Sequence, residues 1–206
     1  SMPLTARTSD VPLFDNKSFA YDGVADYVDC GDNNNLSFGD GSTDSPFSIS
    51  AWVKVNTNSL TILSKYSTNA EYWFGKSGSL LFFQIYGQGN TSNRRNKYIS
   101  LSGYEGQWIH IVGAYNGQGG NVAENGLRLY INGIRQSETT SRMGTYIAMS
   151  NTNAPLEIGR IGTNYADGNI NDTSLFNSEL TQAQVTEIYN GGIVNNISNL
   201  NPLSYW

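Results

Sequence analysis

Residues 108–133 read WIHIVGAYNGQGGNVAENGLRLYING. Ile109, Ile111, Gly113 and Tyr115 alternate with Trp108, His110, Val112 and Ala114, and further on Leu127, Leu129 and Ile131 alternate with Arg128 and Tyr130. Alternation with period two over such lengths marks strands that turn one face to a core. The intervening 116–126 is crowded with Gly and Asn, which tolerate positive φ and reverse the chain. Asn132-Gly133 is a second reversal, of the type that suits a two-residue hairpin. The stretch therefore predicts a long β-hairpin followed at once by another turn.

The same pattern extends outward. Phe47, Ile49, Ala51, Val53 and Val55 alternate with Ser48, Ser50, Trp52 and Lys54, the cleanest strand in the chain. Further strands are predicted over 60–65, 71–76, 79–86, 98–101, 134–138, 156–159 and 169–176, and a strand broken at Tyr21-Asp22-Gly23 over 19–29. Both faces of 79–86 are apolar, which predicts a central strand covered on both sides or flanking a cleft. Residues 87–97 read as an exposed loop, with Arg94, Arg95 and Lys97 as a solvated basic cluster, and 143–149 as irregular. One helix is predicted late in the chain. Thr181 and Gln184 match a capping box, Val185 and Ile188 supply an apolar stripe, and Gly191-Gly192 supply the stop.

Two hundred and six residues suffice for one large all-β domain with its own core. The scarcity of charged residues (14%) and the 22 glycines fit a loop-rich β protein rather than a helical or disordered one. A net charge of −5 argues against a nucleic-acid surface, and no apolar run predicts membrane insertion. The lone Cys30 forms no intrachain disulfide and reads as a buried structural thiol.

The ordered pieces W-x-H-x-V-x-x-Y-N-G and L-x-L-Y-I-N-G, Phe19 to Val28, Phe47 to Lys54, Ile62 to Lys65, Pro155 to Gly159 and Asp167 to Ile170 resemble the laminin-G-like domains of the concanavalin A-like lectin/glucanase superfamily. The fold expected is an all-β, antiparallel two-sheet β-sandwich of jelly-roll type with one short C-terminal helix. The expected organisation is an N-terminal linker or edge segment over 1–17, the domain over 18–192, and a spacer over 193–206 leading to a following module.

Function is argued from candidate sites. Glycosidases place two carboxylates about 5–10 Å apart, and related glucanases carry alternating acids on one strand. No such run occurs here, so the chain is read as non-catalytic. A polysaccharide lyase using His110 and Tyr130 is the enzymatic alternative, and a spacer without ligand is the structural one. For glycan binding, aromatic rings stack on sugar C–H faces while amides and guanidinium groups take the hydroxyls. The expected contacts are the loop-borne set Tyr72, Trp73, Tyr86, Arg94, Tyr104 and Tyr165. Calcium wants hard oxygen ligands, and the turns at 21–23 and 169–172 offer them. The resemblance implies a structural calcium on Asp22, the Gly23 carbonyl and Asp172, with Asn171 beside them. The partners expected are a polysaccharide or cell-surface glycan and neighbouring modules, and the expected location is extracellular, on a cell surface or a virion.

Overall fold

The computed structural model describes residues 18–56, 59–194 and 196–206. The segment expected as an N-terminal linker, 1–17, lies outside them. In chain order the strands are β1 (Phe19–Asp22), β2 (Val28–Asp29), β3 (Phe47–Val55), β4 (Leu60–Tyr66), β5 (Ala70–Ser77), β6 (Leu80–Tyr86), β7 (Arg94–Ser100) and β8 (Trp108–Tyr115). They continue with β9 (Leu127–Ile131), β10 (Ile134–Arg135), β11 (Thr139–Met143), β12 (Leu156–Ile158), β13 (Arg160–Ile161), β14 (Asn164–Tyr165), β15 (Asp167–Phe176) and, after helix α1 (Gln182–Tyr189), β16 (Ser204–Tyr205).

Two large antiparallel sheets form the body. The first runs β1-β15-β3-β8-β9-β10, with β16 also on β15. The second runs β11-β7-β6-β5-β4-β12-β2. The residues that alternate inward in the sequence meet between the sheets: Phe47 lies 4.9 Å from Tyr72 and 5.4 Å from Phe83, ring centre to ring centre. Gly113 makes this packing possible, because a Cβ there would sit 2.9 Å from the Phe83 ring. The β9–β10 turn forms as read: Asn132 and Gly133 both take positive φ (49° and 78°), and Ile131 pairs with Ile134. Positive φ at both central residues matches the right-handed strand twist.

The outward face of the first sheet is not left to water. The α1 side chains Val185 and Ile188 cluster with Val112, Ala114, Tyr130 and Phe176. The Thr181–Gln184 capping box starts α1, and Asn190 ends it in the left-handed region.

Three expectations change. Residues 94–97, read as loop, begin β7, and Arg95 is 2% exposed rather than solvated. Its guanidinium is held by carbonyls of Asn121, Met143 and Gly144 and pairs with buried Glu124 at 3.4 Å, which replaces lost hydration. The start of the stretch read as irregular, at Met143, closes β11 against β7. Within 193–206, read as spacer, β16 pairs with β15 through Ser174↔Tyr205 and Leu175↔Ser204.

Candidate functional site

Strand parity builds the outer face of the second sheet. Because Tyr72 and Phe74 of β5 point into the core, Trp73 and Gly75 point out. Across the strands Trp73 stands opposite Gln84, and Gln84 opposite Asn96; one step along, Gly75 faces Phe82, and Phe82 faces Tyr98. Two parallel stripes result, one of amides and one of rings.

The ring stripe is continuous. Trp73 stacks on Phe82 at 5.7 Å with 20° between planes, and Phe82 lies 5.2 Å from Tyr98. Gly75 lets the indole lie down, since a Cβ there would be 2.6 Å from Trp73 Nε1. All three rings are half-buried. The indole N–H is itself buried without a hydrogen-bond partner.

The amide stripe is directional. Asn96 Nδ2 donates to Gln84 Oε1 at 2.9 Å, and Gln84 Nε2 donates to the Tyr86 hydroxyl. Tyr86 packs 5.7 Å from Tyr66, and burial pushes its phenol up to about 12, so it stays protonated. Arg94 stands across from Tyr86 at the end of the stripe. At the other end Glu157 and Arg160 form an ion pair, which strengthens the guanidinium's hold on its proton, and the guanidinium sits 3.6 Å over Tyr27.

Three of the six residues expected to touch a glycan, Trp73, Tyr86 and Arg94, thus share this face. Tyr72 does not: it is fully buried between the sheets, and its hydroxyl donates to Leu36 O at 2.7 Å. Tyr104 packs half-buried against the core. Tyr165 lies on the β13–β14 hairpin, 6.2 Å from Tyr27. Sequence reasoning missed Phe82 and Tyr98. The signal for Phe82 was present in the two apolar faces of β6; Tyr98 carried none beyond its strand.

Tyr165 belongs instead to a cleft of about 510 Å³ at one end of the sandwich, with Asp22, Gly23, Asn164 and Asp167 among its walls. Asp22 pairs with Asp167 across β1 and β15. Its carboxylate caps the amides of Val24 and Ala25, which hold it below the usual carboxylate range.

The four residues named for calcium are therefore split. Asp172 lies five positions beyond Asp167 on β15, on the order of 15 Å away at ordinary strand rise. It sits in the bulge between Asn171 and Ser174 with φ +47°, and its carboxylate accepts from the Tyr205 hydroxyl. Among the described residues no three His, Cys, Asp or Glu side chains gather in a metal-holding group. Asp22, Gly23, Asn171 and Asp172 do not form a ligand set.

The lyase pair lies elsewhere again. His110 is fully buried, with Nε2 2.8 Å from Ser50 Oγ and Nδ1 without a hydrogen-bond partner, and its ring lies 6.1 Å from Tyr189 of α1. Tyr130 is buried in the same layer under α1. Neither opens onto a groove from which it could take a substrate proton. Cys30 is half-buried, its thiol pushed up to about 12 by burial.

Comparison with known proteins agrees with the two-sheet fold. The Laminin_G_3 family model, described as concanavalin A-like lectin/glucanases superfamily, matches residues 22–186. Among solved structures, the botulinum neurotoxin serotype G binding domain superposes with a TM-score of 0.59 at 17% identity, covering 82% of this chain and 41% of that one. The binding domain of botulinum neurotoxin DC, solved in complex with SialylT, gives 0.55 at 18% identity over 82% of this chain and 42% of that one. The serotype C1 binding domain gives 0.51 at 20% identity over 71% and 36%. The chain thus spans about two-fifths of each solved chain or less, and likeness at these identities carries the fold alone. No curated protein matches this chain. No helix among the described residues is long and apolar enough to cross a membrane.

Proposed function

The chain belongs to the concanavalin A-like lectin/glucanase superfamily, and we propose that it is a non-catalytic glycan-binding module of a larger surface protein, using the outer face of its second sheet. One observation carries the reading: the half-buried strip Trp73–Phe82–Tyr98 runs beside the row Asn96–Gln84–Tyr86. The run of rings offers apolar area to the C–H faces of sugars, and the half-buried Arg94 beside it suits their hydroxyls, while the buried Gln84 and Asn96 support the strip from below. Strands on both sides fix the rings, so little ordering entropy opposes binding. The non-enzymatic reading is supported by Glu157, which is tied to Arg160, and by His110, which is sealed beneath α1.

Affinity electrophoresis through gels carrying neutral and acidic polysaccharides tests the proposal. Retardation by at least one polysaccharide is expected, lost in Trp73→Ala and in Phe82→Ala while both variants keep a cooperative melt. Retention of full retardation in both variants would remove the sheet face as the site. No retardation across the panel would favour a structural spacer, and release of unsaturated products would favour a lyase.

A further inference from the structure

One ammonium group meets two carboxylates inside the fold. Lys65 of β4 and Glu71 of β5 are fully buried. The Lys65 Nζ lies 2.7 Å from Asp32 Oδ1 and 3.3 Å from Glu71 Oε1. We propose that Lys65 and Asp32 condense into an intrachain amide, with Glu71 carrying the proton, so that a covalent staple joins the segment after β2 to β4. This goes beyond the sheet-face reading and does not depend on it.

The backbone delivers the two partners to each other. Cys30 N donates to Leu156 O and Leu156 N donates to Gly31 O, so the chain past β2 continues along β12. Leu156 is also the cross-strand partner of Lys65. Asp32 therefore arrives one strand away from Lys65. Turns on either side fix it: Asp29 Oδ1 accepts from the Gly31 amide, and Asn33 Oδ1 accepts from the Asn35 amide. Groups held in contact and aligned react at effective concentrations of about 10⁵ M or more.

The surroundings favour a neutral product. Charges taken out of water are costly even when paired, and the amide carries none. Nζ also donates to Ala154 O at 2.6 Å, and the single N–H of an amide can keep that bond. Glu71 Oε1 accepts from Thr152 N, Thr152 Oγ1 and Ser37 Oγ, whereas Oε2 is buried with no hydrogen-bond partner. Burial raises the Glu71 carboxyl above the ordinary carboxylate range, which suits a group that takes up and returns a proton. The Asp32 side chain is 34% exposed, so a released water has a way out.

The step balances without a co-reactant. The ammonium passes one proton to the Asp32 carboxylate, the Nζ lone pair attacks Asp32 Cγ, and a C–N bond forms. Glu71 takes a second proton from the nitrogen and returns it to the departing hydroxyl. The C–O bond breaks, one water leaves, and nothing is oxidised or reduced. Because β2 pairs with β12 over two residues only, the staple keeps this short edge strand from peeling away.

The intact mass of the denatured chain tests the proposal. The wild type is expected to be lighter than its sequence by one water, and digestion is expected to release a branched peptide joining the segments that carry Asp32 and Lys65. Asp32→Ala and Glu71→Gln are expected at full sequence mass, the latter with a cooperative melt because its volume is kept. Full sequence mass of the wild type overturns the proposal and leaves an ordinary buried ion pair. A water loss that maps to the Asp-Gly steps at 22, 40 or 167, as a backbone succinimide, overturns it as well. A branched peptide still formed in Glu71→Gln would remove Glu71 from the step.

Discussion

His110 Nε2 and Ser50 Oγ lie 2.8 Å apart beneath α1, joining the outward faces of β8 and β3 where water is excluded. The pair meets because Trp52 and Tyr189 close over it, with the Trp52 ring 5.2 Å from the imidazole. A neutral imidazole suits this place and a charged one does not.

Stability should therefore fall as the solution is acidified. Burial pushes His110 down to about 3 from an ordinary 6.5. Between those values the unfolded chain binds the proton and the folded chain does not, so acid favours unfolding. Above 6.5 the group has no effect, and below it the loss approaches about 1.4 kcal/mol per pH unit. Asp44 and Glu71, raised by burial, act in the opposite sense nearer the carboxylate range. Denaturation of wild type and His110→Gln between neutral pH and the carboxylate range isolates the histidine. The difference between their midpoints should narrow with falling pH, and a constant difference would count against the assignment.

Gly75→Val should disturb the ring strip without opening the core. The new Cβ would meet Trp73 Nε1 at 2.6 Å and Leu60 O at 2.9 Å, so the indole must lift. A cost of about 1–3 kcal/mol is expected, as for other overpacked sites, together with red-shifted tryptophan emission and weaker polysaccharide retardation. Unaltered emission would mean that the indole does not rest on this glycine.

The Arg95–Glu124 pair gives a directional test of buried charge. Glu124 also meets Arg142 at 2.8 Å, whereas Arg95 satisfies several carbonyls at once. Arg95→Met strands those carbonyls and leaves the carboxylate to Arg142 alone, and about 3–5 kcal/mol should be lost. Glu124→Gln keeps a polar group near the guanidinium and should cost less. Urea midpoints at constant slope decide the order, and the reverse order would show that the carbonyl contacts contribute little.

Chelation should leave the melting midpoint where it was. The residues expected to share a calcium are separated along β15, and Asp22 is engaged by its own turn. A ligand of the folded state would raise the midpoint. A calcium-dependent rise abolished by Asp22→Asn would return the cleft to the cation originally expected.

The architecture was readable because alternation and turn chemistry are local. Phe47 to Val55 and the Asn132-Gly133 turn carry their structure in a few neighbouring residues, and each took the form the pattern predicts. Arg94 to Lys97 misled because a buried guanidinium looks like a solvated one until Glu124, distant in sequence, is placed beside it. The calcium expectation depended on strand register, and β1 sets Asp22 opposite Asp167 rather than near Asp172, which no local pattern announces. The aromatic strip depended on which rings lie side by side across β5, β6 and β7, so Trp73 was found and Tyr98 was not.

β1 and β16 lie end to end along one side of β15, the first at 167–170 and the second at 174–175, and Trp206 and Thr173 exchange both backbone hydrogen bonds. That side of the sheet is thereby denied to any foreign strand. A version trimmed at residue 186, where the family match ends, would lose the last turn of α1 and uncover a row of amides and carbonyls on β15. Such a fragment should self-associate, so a recombinant product meant to stay monomeric needs its final aromatic residue.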